Sequence, residues 1–145
     1  MELKRVVVTG LGALTPIGNN IQEYWNGLCN GASGADFITL FDAEKFKTRF
    51  ACEVKNFNLD DFFDRKEARK LDRFSQLAIV SSDQAIKDAN LHEDASLNKD
   101  RIGVIWASGI GGIGTFYEEM KGFFAGDGTP RFNPFFIPKM ISDIA

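Results

Sequence analysis

Two short apolar runs rich in β-branched residues, each leading into a glycine-rich turn and then an amphipathic helix, constrain this chain more than any other feature. Val6, Val7 and Val8 are followed by Thr9-Gly10, and residues 102–107 (Ile-Gly-Val-Ile-Trp-Ala) by Ser108-Gly109. Runs this short and this continuously apolar read as buried strands rather than helices. Between them lies the longest helical pattern, residues 65–90, whose inward stripe is Leu71, Phe74, Ala78, Ser82, Ala85 and Ala89. Small residues on that stripe let a helix approach its neighbours closely, as one packed on several sides must.

The remaining elements fit the same scheme. Asn19 or Asn20 caps a helix that runs to about Cys29, with Ile21, Tyr24, Trp25 and Leu28 on one stripe, and Asn30-Gly31 ends it. Residues 49–54 read as a strand and 59–63 as a short helical turn. Residues 90–101 form a polar loop, 115–124 a helix, and 138–145 the beginning of another. Strand, helix, helix, strand, helix is an α/β order, within a single domain over residues 1–145 and with no repeat or linker.

A chain of 145 residues, 44% hydrophobic and 26% charged, is ordinary for a soluble globular domain. Its net charge of -3 gives no global attraction to nucleic acid or anionic lipid, so a charged partner must meet a local patch. No apolar run reaches the roughly 18 residues that span a bilayer. The first five residues lead directly into the first strand without a secretory pattern, which predicts a cytoplasmic protein. Cys29 and Cys52 lack Cys-x-x-Cys spacing and give neither a disulfide framework nor a zinc site. Phenylalanine is in excess, 14 against 2 tyrosines. Phe116, Phe123, Phe124, Phe132, Phe135 and Phe136 crowd a segment also broken by glycine and proline, so part of that surface is expected to face more protein.

Gly109-Ile110-Gly111-Gly112-Ile113-Gly114 fits the G-x-G-x-x-G pattern that seats a dinucleotide pyrophosphate on a helix N-terminus. That reading, an NAD(P)-binding oxidoreductase domain, also requires an acidic residue about 20 positions on, ending a second strand. The stretch that follows is Phe-rich and broken, and Asp127 sits in a Gly-Asp-Gly loop, so glycines serving a tight turn and close packing are the better reading. In the first turn, Pro16 removes an amide that a phosphate cradle would use. Cys29 late on a helix and Cys52 in a strand read as small inert core residues, and His92 in a polar loop as solvated. A lone histidine offers no second imidazole for a metal or an acid–base pair. These residues form no convincing catalytic centre.

Lys66, Arg69, Lys70 and Arg73 stand at helical spacing and share a face, partly offset by Asp64, Glu67 and Asp72. Charge alone favours a solvated face with local ion pairs; a docking patch for an acidic partner is the other reading.

Five segments, in order, resemble the β-ketoacyl-[acyl carrier protein] synthase family. Arg5-Val6-Val7-Val8-Thr9-Gly10-Leu11-Gly12-Ala13-Leu14-Thr15-Pro16-Ile17-Gly18 is similar to its opening strand and turn, and Phe50-Ala51-Cys52-Glu53-Val54-Lys55-Asn56-Phe57 to its next strand. Arg65-Lys66-Glu67-Ala68-Arg69-Lys70-Leu71-Asp72-Arg73-Phe74 resembles the start of its long helix. Ser108-Gly109-Ile110-Gly111-Gly112 and Pro134-Phe135-Phe136-Ile137-Pro138 complete the set. The likeness covers essentially the whole chain and is nearest to the elongation form, synthase II, of type II fatty-acid synthesis.

The resemblance implies most of the first half of a thiolase-like fold in α-β-α-β-α layers, a homodimer, and no cofactor or metal. It implies Claisen condensation: a cysteine takes an acyl group from acyl carrier protein, two histidines assist decarboxylation of malonyl carrier protein, and the carbanion attacks the thioester. The family's cysteine, in an Ala-Cys-x-Ser type motif, and its histidines lie downstream of Ala145, so these residues alone are expected to be inactive. What transfers is positional. Gly109 and Ile110 match the turn lining the acyl pocket, and Phe136 matches a residue that reaches the other subunit's pocket. Lys66, Arg69, Lys70 and Arg131 match the docking surface for the acidic carrier protein, although Phe132 stands where relatives commonly carry a second basic residue. A non-catalytic partner of such an enzyme is a further alternative.

Overall fold

The computed structural model describes residues 3–92 and 94–145; Met1 and Glu2, where the strand-leading start was read, and Glu93 in the polar loop lie outside them. The chain forms two compact units, Met1–Phe57 with Ser81–Leu97 and Asn58–Val80 with Asn98–Ala145.

In the first unit, helix α1 (Ile21–Cys29) begins where the asparagines predict. Asn20 accepts the N–H of Glu23 in its side chain, and Glu23 in return accepts the N–H of Asn19. The helix ends at Asn30, with Gly31 at φ 65° and its N–H bonded to the Leu28 carbonyl. Strands β1 (Ala35–Phe37) and β2 (Phe50–Cys52) pair antiparallel, Ala35 opposite Cys52 and Phe37 opposite Phe50. The predicted strand at 49–54 thus exists in shortened form.

The opening run is a correction. Val6, Val7 and Val8 join no ladder among the described residues and are 90%, 59% and 78% exposed. A strand of that composition is buried only when neighbours flank both edges and layers cover both faces, and the described residues supply neither. The turn after it does pack. A β-carbon on Gly12 would stand 1.9 Å from the Ser81 carbonyl oxygen, and one on Gly10 2.2 Å from that of Ala85, so backbone lies directly on backbone. Gln84 and Asp88 accept the N–H groups of Ala13 and Leu11 there, and the Gln84 amide donates to the Asn19 carbonyl.

The expected helix over 65–90 is two helices, α2 (Arg65–Ala68) and α3 (Arg73–Asp88). Asp72 causes the break: its side chain accepts the N–H of Phe74, and its carbonyl that of Gln76. An aspartate so placed starts a new helix. The α3 residues 73–80 belong to the second unit, where Ser75, Gln76, Ala78 and Val80 are buried. Gln76 tolerates burial because its amide donates to the carbonyls of Ala68, the last residue of α2, and Leu71, in the turn before α3.

Residues 102–107 repeat the correction of the opening run: they join no ladder among the described residues, with Val104 84% and Ile105 99% exposed. The antiparallel β1–β2 pair is the only ladder between strands among the described residues. Helix α4 (Ile113–Ala125) follows the glycine turn as expected. Helix α5 (Phe136–Met140) starts before residue 138 and stops short of 145. Asn133 nucleates it early, accepting the N–H of Phe135 in its side chain and that of Phe136 at its carbonyl, and Pro138 is tolerated in its first turn.

Candidate functional site

All of the candidate residues lie in the second unit. The basic segment is built on a short capped helix. Asp64 accepts the N–H groups of Lys66 and Glu67 at 2.7 and 2.9 Å, which holds its carboxyl below the ordinary aspartate range. Lys66 lies in α2, Arg69 is its C-cap, Lys70 follows in the turn and Arg73 opens α3. The predicted shared face is therefore not one continuous helix; it is broken by the Asp72 cap. Lys66, Arg69 and Lys70 are exposed. Lys70 is 2.6 Å from Glu67, whose hydrogen bond and charge raise the lysine's pKa. Lys66 and Arg69 are in no ion pair among the described residues.

Arg131 stands in a different setting. It is 3.4 Å from Asp127 and lines a cleft of about 390 Å³ with Glu118, Glu119, Phe123 and Phe132. The N–H and side chain of Thr129 keep the Asp127 carboxyl below its ordinary range, so Arg131 faces a firmly charged partner. Three carboxylates line the same cleft as this one guanidinium, which blunts its pull on a second acidic surface.

The turn that carries Gly109 and Ile110 rests on α5. Ser108 Oγ accepts the N–H of Gly111 at 3.0 Å, and the Met140 carbonyl accepts that of Gly112 at 3.3 Å. Gly111 has φ 78°, and a β-carbon on Gly112 would stand 2.0 Å from the Lys139 carbonyl oxygen. These glycines are needed for close backbone packing, as the sequence favoured over a phosphate cradle. Ile110 projects outward, 71% exposed. Phe136 is half-buried at the start of α5, stacked on Phe116 at 6.3 Å and on Phe132 at 5.4 Å, with Phe123 5.6 Å beyond Phe132. The Phe-rich segment thus covers part of its own surface.

A second cleft, of about 300 Å³, brings the basic segment beside α5; Lys70, Leu71 and Asp72 line it together with Phe135, Pro138, Lys139 and Ile144. Asp72 and Thr115 are 2.5 Å apart, a pairing absent from the sequence reading, which takes Asp72 only as an offset to the basic face. A signal for Asp72 was present, since an aspartate directly ahead of an apolar-periodic run marks a helix start. Nothing local marks Thr115 as its partner 43 residues away.

Cys29 and Cys52 are exposed rather than buried in a core, at the end of α1 and in the two-stranded sheet, where no described layer covers them. His92 Nε2 lies 3.5 Å from Asp83 Oδ1 in an exposed pair, and neither cysteine bonds to it among the described residues. No group of acidic, cysteine and histidine side chains suited to a metal, and no helix long and apolar enough to cross a membrane, occurs among the described residues.

A family model described as "Beta-ketoacyl synthase, N-terminal domain" matches residues 3–145. The chain belongs to the beta-ketoacyl synthase family. A 3-oxoacyl-[acyl-carrier-protein] synthase 2 of Synechocystis sp. is 49% identical over 145 residues, all of this chain and 34% of that protein. One of Staphylococcus aureus is 47% identical over 142 residues, 98% of this chain and again 34% of the relative. The chain therefore spans about a third of the length of the curated relatives it matches. Among solved structures, a beta-ketoacyl synthase from Burkholderia phymatum superposes with a TM-score of 0.75 at 26% identity, over 98% of this chain and 35% of that one. The ishigamide ketosynthase/chain length factor gives 0.72 at 28% identity, over 93% and 33%. The α/β fold is that of the ketosynthases, of which these residues form a part.

Proposed function

We propose that this chain is the acyl-pocket and carrier-docking portion of a β-ketoacyl-[acyl carrier protein] synthase that elongates fatty acids in the cytoplasm as a homodimer. The observation that carries the reading is 49% identity, along all 145 residues, to a protein named for that activity. In the reaction, malonyl carrier protein loses CO2. The resulting carbanion attacks the acyl thioester held on the enzyme, a carbon–carbon bond forms, and the enzyme thiolate leaves.

Within that reaction, these residues bind and position. Lys66 and Arg69, exposed and without ion pairs among the described residues, meet the acidic carrier protein. Lys70 contributes with its charge shared by Glu67, and Arg131 least, being placed among carboxylates. Gly109 and Ile110 line the acyl pocket, and Phe136 extends to the pocket of the second subunit. Cys29, Cys52 and His92 take no part in the chemistry. The test is steady-state kinetics on the intact protein carrying Lys66→Glu with Arg69→Glu. KM for acyl carrier protein is expected to rise on the order of tenfold or more with kcat little changed, because two attractive charges become repulsive. An unchanged KM would remove the docking assignment.

A non-catalytic partner role is the second reading, favoured by the likeness to a ketosynthase/chain length factor. The identity of 28% there, against 49% to the curated synthase, supports the enzyme.

A further inference from the structure

Asp72 does two things with one carboxylate. Its Oδ1 accepts the N–H of Phe74 at 3.2 Å and so starts α3 directly after the basic segment. Its Oδ2 accepts the hydroxyl of Thr115 at 2.5 Å, a half-buried contact that joins residues 43 apart in sequence. Hydrogen bonds from a hydroxyl to an ionised carboxylate are shorter and stronger than neutral ones, and desolvation strengthens them further. The same oxygen lies 3.1 Å from the position a β-carbon on Gly112 would take, so the carboxylate also walls the glycine turn.

Thr115 is in the first turn of α4, five residues after Ile110. On its other side the turn is fixed by the Met140 carbonyl and pressed against that of Lys139. Ile110 is 71% exposed, so its direction is set mainly by the backbone that carries it and little by packing of its own. Asp72 on one side and the end of α5 on the other are the two supports of that backbone.

We propose that Asp72 and Thr115 are a positioning pair for acyl-chain selection: their hydrogen bond sets the attitude of the turn over residues 108–112, and through it of Ile110, from the base of the carrier-docking segment. This inference rests on the acyl-pocket role proposed above for Ile110. Loss of the bond lets the turn relax, so that chain-length preference changes while the docking charges stay in place.

The experiment is the chain-length profile of the intact protein, read as the ratio of kcat/KM for a long and a short acyl primer. Ile110→Phe, Thr115→Val, Thr115→Ser, Asp72→Asn and the Asp72→Asn/Thr115→Val double variant are compared, each after its thermal midpoint shows it folded. Thr115→Val is expected to move the ratio on the order of two- to tenfold, Thr115→Ser to restore it, and the double variant to move it no further than the larger single effect. KM for malonyl carrier protein is expected to stay close to wild type in the two Thr115 variants, which leave the docking charges in place. Asp72→Asn keeps an oxygen for the Phe74 cap, so it remains informative if Thr115→Val does not fold. A ratio that moves with Ile110→Phe but not with folded Thr115→Val or Asp72→Asn overturns the positioning pair and leaves the acyl-pocket assignment intact. A ratio unmoved by Ile110→Phe overturns that assignment, and the pair proposal with it.

Discussion

Gly112 is buried, and the carbonyl of Lys139 occupies the space a β-carbon would need. Gly122, in the last turn of α4, has nothing within 4 Å of the same point. The two residues should therefore respond oppositely to one methyl group. Gly112→Ala is expected to cost about 1–3 kcal/mol, as overpacking against backbone does. Gly122→Ala is expected to gain about 0.5–1 kcal/mol, since alanine restricts the unfolded chain and favours the helix. Urea denaturation of the two variants beside the parent checks both signs. At this scale part was legible: Gly111 and Gly112 are packing glycines as read, whereas Gly109 and Gly114 have open space where a β-carbon would stand. Thr115 and Gln76 were not legible, because each acts through a partner that only the fold supplies. The exposure of Cys29 and Cys52 was hidden for the same reason, since burial belongs to the layers around a strand or helix and not to the residue.

The capped start of α2 gives a prediction at the level of the element. Asp64 titrates below the ordinary aspartate value of 3.8 because the N–H groups of Glu67 and Lys66 favour its charged form. A depressed folded-state pKa means that the stabilisation is fully present above the unfolded value and is lost as pH falls through the folded one. Asp64→Asn keeps a capping oxygen without the charge, so it is expected to flatten that acid limb, whereas Asp64→Ala is expected to lower the thermal midpoint across the whole range above it. Thermal melts of the three proteins from neutral pH down to acid give the comparison. An acid limb of equal depth in the parent and in Asp64→Asn would place the titration elsewhere. Helices α1 and α4 were readable because their signals are local: an asparagine cap and Asn-Gly stop for one, a glycine turn and apolar periodicity for the other. The division of α2 from α3 was missed although Asp72 offered the cap, because apolar periodicity carries on across it. The runs at 6–8 and 102–107 are strands only in company, and no property of their own residues provides the ladder.

For the molecule as a whole, the family membership was legible because five segments in the right order are far more specific than any one of them. The chain corresponds to 34% of the curated relatives, so the condensing activity, the carrier protein and the dimer belong to the proposal made for the intact protein. Phe136 is already half-covered by Phe116 and Phe132, so the cross-subunit role predicts a defined effect. The intact protein should sediment as a dimer at micromolar concentration; a monomer there would leave Phe136 with its own cluster as its only function. The most direct measurement is a condensation assay on the intact polypeptide that carries these residues, supplied with an acyl carrier-protein thioester and malonyl carrier protein. The account predicts release of CO2 together with a 3-oxoacyl carrier protein two carbons longer than the primer. A folded, intact protein that yields neither product would contradict it and favour the non-catalytic partner instead.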